Sequence, residues 1–153
     1  MHRVRTLVAL AAVALVLGVA PASAATTYQL VGLEINPSPA TFVGTLVDRP
    51  GTWRATILHA PLNTTPGGTT AITGGSFSIT TFSPYAVVAG AITGGQLTAG
   101  PVQVVSPFSC TQRFAVVGSL TAGSFAGVLM HYGFPSSGKC IAFAATFAGS
   151  ATL

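Results

Sequence analysis

The chain has 153 residues, 50% of them hydrophobic and only 5% charged, with six Lys or Arg against two acidic residues. Disorder goes with low hydrophobicity and high charge, and this composition is the reverse. An excess of four positive charges is too small for a nucleic-acid-binding patch, and the length fits one domain.

Residues 1–24 read as a secretory signal peptide. His2, Arg3 and Arg5 make a basic start, residues 7–20 are apolar apart from Gly18, and Ala22-Ser23-Ala24 has the small-x-small form of a cleavage site. The apolar run falls short of the about 20 residues that span a bilayer. The expected product is a secreted, extracellular chain, residues 25–153, with no integral membrane span. In it Arg49, Arg54, Arg113 and Lys139 face Glu34 and Asp48, a net charge of +2. Its polarity rests on 19 Thr and 11 Ser. Cys110 and Cys140 both lie in this part, and an oxidising compartment makes a disulfide the expected state.

All but one of the 18 Gly and all but one of the 10 Pro lie after the leader, among Val, Ile, Thr and Phe. This is strand composition with frequent turns. In chain order the predicted strands are 27–35, 40–47, 52–60, 69–80, 85–93, 96–105, 110–120, 124–132 and 139–150. Eight or nine short strands predict an all-β, single-domain antiparallel barrel or sandwich. The first strand carries Glu34 near its end. Asp48 precedes Arg49-Pro50-Gly51-Thr52, which fits a type II turn with Gly51 at φ > 0, and Asp48 is expected to pair with Arg49 or Arg54. In the third strand Trp53, Ala55, Ile57 and His59 share one face. A loop follows, with a formal glycosylation sequon at Asn63-Thr64-Thr65 and a Pro66-Gly67-Gly68 tip.

The next strands contain an echo: Ala71-Ile72-Thr73-Gly74-Gly75 recurs as Ala91-Ile92-Thr93-Gly94-Gly95. It is too brief for a repeat array and predicts glycine bulges that coil the sheet. Phe125, Gly127, Leu129 and His131 line one face of the 124–132 strand. Ile141, Phe143, Ala145 and Phe147 line one face of the last. The element Thr73-Gly74-Gly75-Ser76-Phe77, with Gly123-Ser124-Phe125-Ala126-Gly127, resembles the glycine motifs of allene-oxide-cyclase and dirigent-like barrels. The acidic residues that those barrels often hold inside have no clear counterpart, and no catalytic residue is carried over.

Catalytic groups are scarce. Glu34 and Asp48 are the one possible carboxylate pair, no G-x-S-x-G elbow occurs, and the cysteines are expected to be paired. Without a His-x-His or Cys/His cluster, no metal or other cofactor is expected. His59 and His131 end inward faces near strand termini, so a shared rim with Trp53 or Tyr132 is one reading, and histidines bonded to backbone the other. The leading expectation is a non-enzymatic β-domain that binds a glycan or envelope polymer, or associates with itself, through rim aromatics Trp53, Tyr85 and Tyr132. The alternatives are a barrel holding a small apolar ligand beside His59 and His131, and a cyclase or isomerase acting on an apolar substrate.

Overall fold

The computed structural model describes residues 24–153; the leader assigned to residues 1–24 lies outside the described residues except for Ala24. Eight strands follow one another: β1 (Thr27–Pro37), β2 (Ala40–Leu46), β3 (Gly51–His59), β4 (Thr69–Phe82), β5 (Tyr85–Ser106), β6 (Ser109–Leu120), β7 (Gly123–Ser136) and β8 (Lys139–Thr152). Each pairs antiparallel with the next, and β8 returns to β1 between Thr27↔Thr152 and Leu33↔Thr146. The result is a closed barrel rather than a sandwich, with no exposed sheet edge.

The barrel has two unlike ends. The β2–β3, β4–β5 and β6–β7 connections and both termini lie at one, here the termini end. The β1–β2, β3–β4, β5–β6 and β7–β8 connections lie at the other, the open end. Between them the alternation of the strands puts Leu30, Phe42, Trp53, Phe77, Phe114, Leu129 and Phe147 into one core. Trp53 is seated on glycines. It pairs with Gly44 across the ladder, and a Cβ at Gly32 or Gly44 would come within 2.6 Å of the indole. The indole Nε1 donates to the Val31 carbonyl at 2.9 Å, and Phe147 meets the ring edge-on at 5.6 Å.

Two predicted strands are one. The 85–93 and 96–105 segments form the continuous β5, because Gly94-Gly95 bends the strand without ending it. The echoed pentapeptides lie opposite each other: Ile72 pairs with Gly95, and Ile92 with Gly75. Gly74, Gly75 and Gly95 have φ of 156°, 142° and 148°, a region that side chains disfavour. A Cβ at Gly75 would also run into the Thr56 carbonyl oxygen. The echo is therefore one bulge device used on both strands of a hairpin, which coils this part of the wall.

Two local expectations are corrected. Gly51 is not at positive φ; it opens β3, buried against Leu46 and the Thr80 carbonyl. In β8 the shared face of Ile141, Phe143, Ala145 and Phe147 is broken. The register shifts between Tyr132 and Gly133, so Ala145 and Phe147 remain buried while Ile141 and Phe143 are exposed and Cys140 turns inward. One residue of slip reverses the faces of a strand.

Cys110 of β6 and Cys140 of β8 form the disulfide, closing a sequence separation of 30 residues. Asp48 pairs with Arg49 at 2.6 Å, and the Arg49 hydrogen bond holds its carboxyl below the usual range.

Candidate functional site at the open end

The two halves of the barrel interior differ. Toward the termini end, aromatic packing leaves a wholly apolar void of about 40 Å³, beside Phe42, Trp53, Phe77, Phe125 and Phe147. That volume holds no molecule larger than water. At the open end a cup of about 400 Å³ enters the barrel, a size in the usual range for small-molecule sites.

The 60–68 connection explains why the cup occupies only part of the mouth. It folds over the β4–β6 side, where Gly67 N–H donates to the Ala99 carbonyl at 2.7 Å and Ala99 N–H to the Gly68 carbonyl at 2.8 Å. Gln112, 1% exposed, donates through Nε2 to the carbonyls of Thr64 at 2.7 Å and Gly100 at 2.9 Å. Leu62 on this loop reaches the core and forms one wall of the cup. Asn63, within the sequon, is exposed, and its Oδ1 accepts from Thr65 N–H at 3.1 Å.

Phe42, Ile57, Leu97 and Leu129 supply the apolar lining, and Ala142 and Ala144 of β8 supply small side chains that leave the space open. Three ionisable side chains meet there: Glu34 from β1, His59 from β3 and His131 from β7. Glu34 is inward because it continues the Tyr28–Leu30 face up to the bulge between Glu34 and Asn36. Burial raises its pKa, and the charge of His59 opposes that rise. Burial lowers the pKa of His131, and repulsion from His59 lowers it further. His131 also packs against Phe114, with ring centroids 4.8 Å apart. His59 Nδ1 lies 2.6 Å from the Ala60 carbonyl; an N–H there donates to that oxygen and leaves Nε2 for other partners.

Of the residues singled out in the sequence, His59 and His131 are brought together in the cup. Trp53 is 6% exposed in the core, Tyr85 is 74% exposed at the termini end, and Tyr132 lies on the outer wall. The three aromatics therefore make no common platform. Trp53 and His59 share a face of β3, but six residues at about 3.4 Å each put them roughly 20 Å apart. Glu34 and Asp48 stand at opposite ends of the barrel, too far apart to act as a carboxylate pair. Among the described residues no group of three His, Cys, Asp or Glu is placed to hold a metal ion.

The electrostatic coupling has a direct check. In His59→Gln, loss of the positive charge is expected to move the pKa of both Glu34 and His131 upward, read by NMR titration of the carboxyl and ring resonances. Opposite movements, or none, would show that the three groups are not coupled through His59. The burial of His131 also disfavours folding as the pH falls through the histidine range, because the unfolded chain binds a proton that the folded ring resists.

Compared with models of protein families, with curated proteins and with solved structures, the chain matches none.

Proposed function

We propose that this chain is a secreted binding barrel whose open-end cup takes one small, largely apolar molecule bearing a polar group. The observation that carries this reading is the cup itself: about 400 Å³, with apolar walls and Glu34, His59 and His131 converging on it, in a barrel otherwise packed. Apolar walls with a few convergent polar groups are the usual make-up of a ligand pocket. The Cys110–Cys140 disulfide supports an oxidising, extracellular setting. Binding of a glycan through rim aromatics has less support, since Trp53, Tyr85 and Tyr132 are dispersed.

Narrowing the cup tests this reading. A panel of fatty acids, terpenoid alcohols and aromatic amines is titrated while the His59 and His131 ring resonances are followed. At least one is expected to bind saturably at one site, and Ala142→Phe is expected to abolish that binding while the barrel stays folded. If no compound moves either ring, or if Ala142→Phe binds as wild type does, the reading fails. A cyclase or isomerase role for the same cup draws support from Glu34 and His131, whose pKa shifts bring an acid and a base closer together. It requires that a bound compound be converted, and that His59→Gln with His131→Gln stop the conversion.

A further inference from the structure

We propose that the two hairpin tips at the open end dock this protein onto the surface of a lipid bilayer. The tips are the β5–β6 and β7–β8 turns. Pairing between β6 and β7 ends at Cys110↔Gly133, whereas β5–β6 pairing continues to Ser106↔Ser109 and β7–β8 pairing to Ser136↔Lys139. Beyond that point no ladder joins the two hairpins, which are tied by the Cys110–Cys140 disulfide. Pro135 has no N–H with which to prolong the β6–β7 ladder.

The wall exposes other apolar side chains, such as Leu33, Ile35, Leu58 and Val117, but three of the four exposed phenylalanines among the described residues lie at or beside these turns. Val104, Val105 and Phe108 are exposed on the first tip, Phe108 by 78%. Phe134 and Ile141 are exposed on the second, and Phe143, 68% exposed at the rim of the cup just below it, has its ring 5.1 Å from that of Phe134. Grouped exposed apolar residues of this kind mark an interaction surface, and aromatic rings on a polar backbone suit the interfacial layer of a bilayer.

Charge selects the occupant. Neither tip contains a carboxylate, and Lys139 in the second turn is the charged residue they carry. Of the protein's two acidic side chains, Asp48 is at the termini end, and Glu34, at the same end as the tips, points into the cup rather than onto either turn. Apolar tips with a positive charge and no negative one fit a membrane surface, and fit an anionic one best. A second copy would set Lys139 against Lys139 if the tips packed on each other about a twofold axis. Insertion of the whole barrel does not fit. A membrane-spanning barrel has a polar lumen and a continuous apolar outer band, whereas this interior is an apolar core and the wall exposes Arg54 and Arg113. The docking proposal does not depend on what the cup holds.

The test is flotation of the exported protein with vesicles of phosphatidylcholine, and with vesicles of an equimolar phosphatidylcholine–phosphatidylglycerol mixture. Wild type is expected to float with both. Val105→Ser, Phe108→Ser and Phe134→Ser together are expected to reduce partition by about tenfold or more. Both proteins carry the same N-terminus, so any contribution of the leader is common to them. Lys139→Gln is expected to remove a preference of up to about fivefold for the anionic vesicles while leaving phosphatidylcholine binding in place. Should the triple variant fail to fold, Phe108→Ser alone, at a turn outside the core, provides the comparison. The proposal is overturned if wild type stays in the aqueous fraction with both vesicles, or if the folded variant floats equally well. It is also overturned if wild type sediments as a dimer that the tip substitutions dissociate and neither protein floats.

Discussion

Trp53→Ala is expected to lower folding stability by about 3–5 kcal/mol, the range for removing a large aromatic side chain from a core. The loss has three physical parts. The indole is almost wholly buried, so its apolar area returns to water in the unfolded reference and a cavity remains in the fold. Its neighbours cannot close that cavity cheaply, because Gly32 and Gly44 beneath it carry no side chains to move in and the barrel wall is held by its ladders. The Nε1–Val31 bond and the edge-on contact with Phe147 are lost as well. Trp53→Phe keeps a ring against Phe147 and is expected to cost less, with about 1 kcal/mol of its loss coming from the hydrogen bond. Urea unfolding measures both. Since Trp53 does not line the open-end cup, ligand affinity is expected to be preserved in Trp53→Phe. A Trp53→Ala protein that unfolds at the wild-type midpoint but fails to bind a glycan would instead return Trp53 to a surface role.

The case of Trp53 shows what was legible in the sequence. Alternation along β3 put Trp53, Ala55, Ile57 and His59 on one face, and the structure has them so. Alternation is a local property and reports which side of a wall a residue takes. It says nothing about height along the barrel unless the rise per residue is applied, and that rise separates Trp53 from the histidine rim. The division of β5 into two strands failed for a related reason. A Gly-Gly pair is the same signal whether the strand ends there or only bulges, and the ladder opposite, Ile72↔Gly95 and Gly75↔Ile92, decides between them.

The polar residues of the open end were harder to find. Glu34 lies beside Pro37 and Pro39 in the sequence, which reads as a strand giving way to a turn, yet the strand runs on through a bulge and carries the carboxyl inward. Gln112 is flanked by Thr111 and Arg113 and looks like surface. It is buried because the distant 60–68 loop brings the Thr64 carbonyl to it, across a sequence separation of 48 residues. A signal was present for Glu34: it keeps the even-numbered face of Tyr28 and Leu30. The same signal was present for Gln112, which keeps the even-numbered face of Cys110, Phe114 and Val116; its partners, the backbone carbonyls of Thr64 and Gly100, leave no mark in the sequence.

Breaking the Cys110–Cys140 bond, by reduction or as Cys110→Ala with Cys140→Ala, is expected to cost about 3–4 kcal/mol through the freedom regained by the unfolded chain. The effect on the native state should be concentrated at the open end. The two cysteines sit on β6 and β8, on either side of β7. Strands one removed in a flat sheet stand about 9.6 Å apart, yet these two Cα atoms are 5.8 Å apart. The wall must therefore curl inward around β7 at Gly133, the residue opposite Cys110. The same place is where β6–β7 pairing stops and the two apolar tips begin, so the disulfide joins ribbons that no ladder joins. Without it, amide exchange is expected to quicken in residues 104–110 and 133–141, while β1–β3 keep their protection until global unfolding. Vesicle partition should weaken with it, because tips that move independently lose entropy when they insert together. Equal unfolding midpoints with and without reductant, once mass spectrometry has verified the free thiols, would show that the barrel's own ladders hold this end.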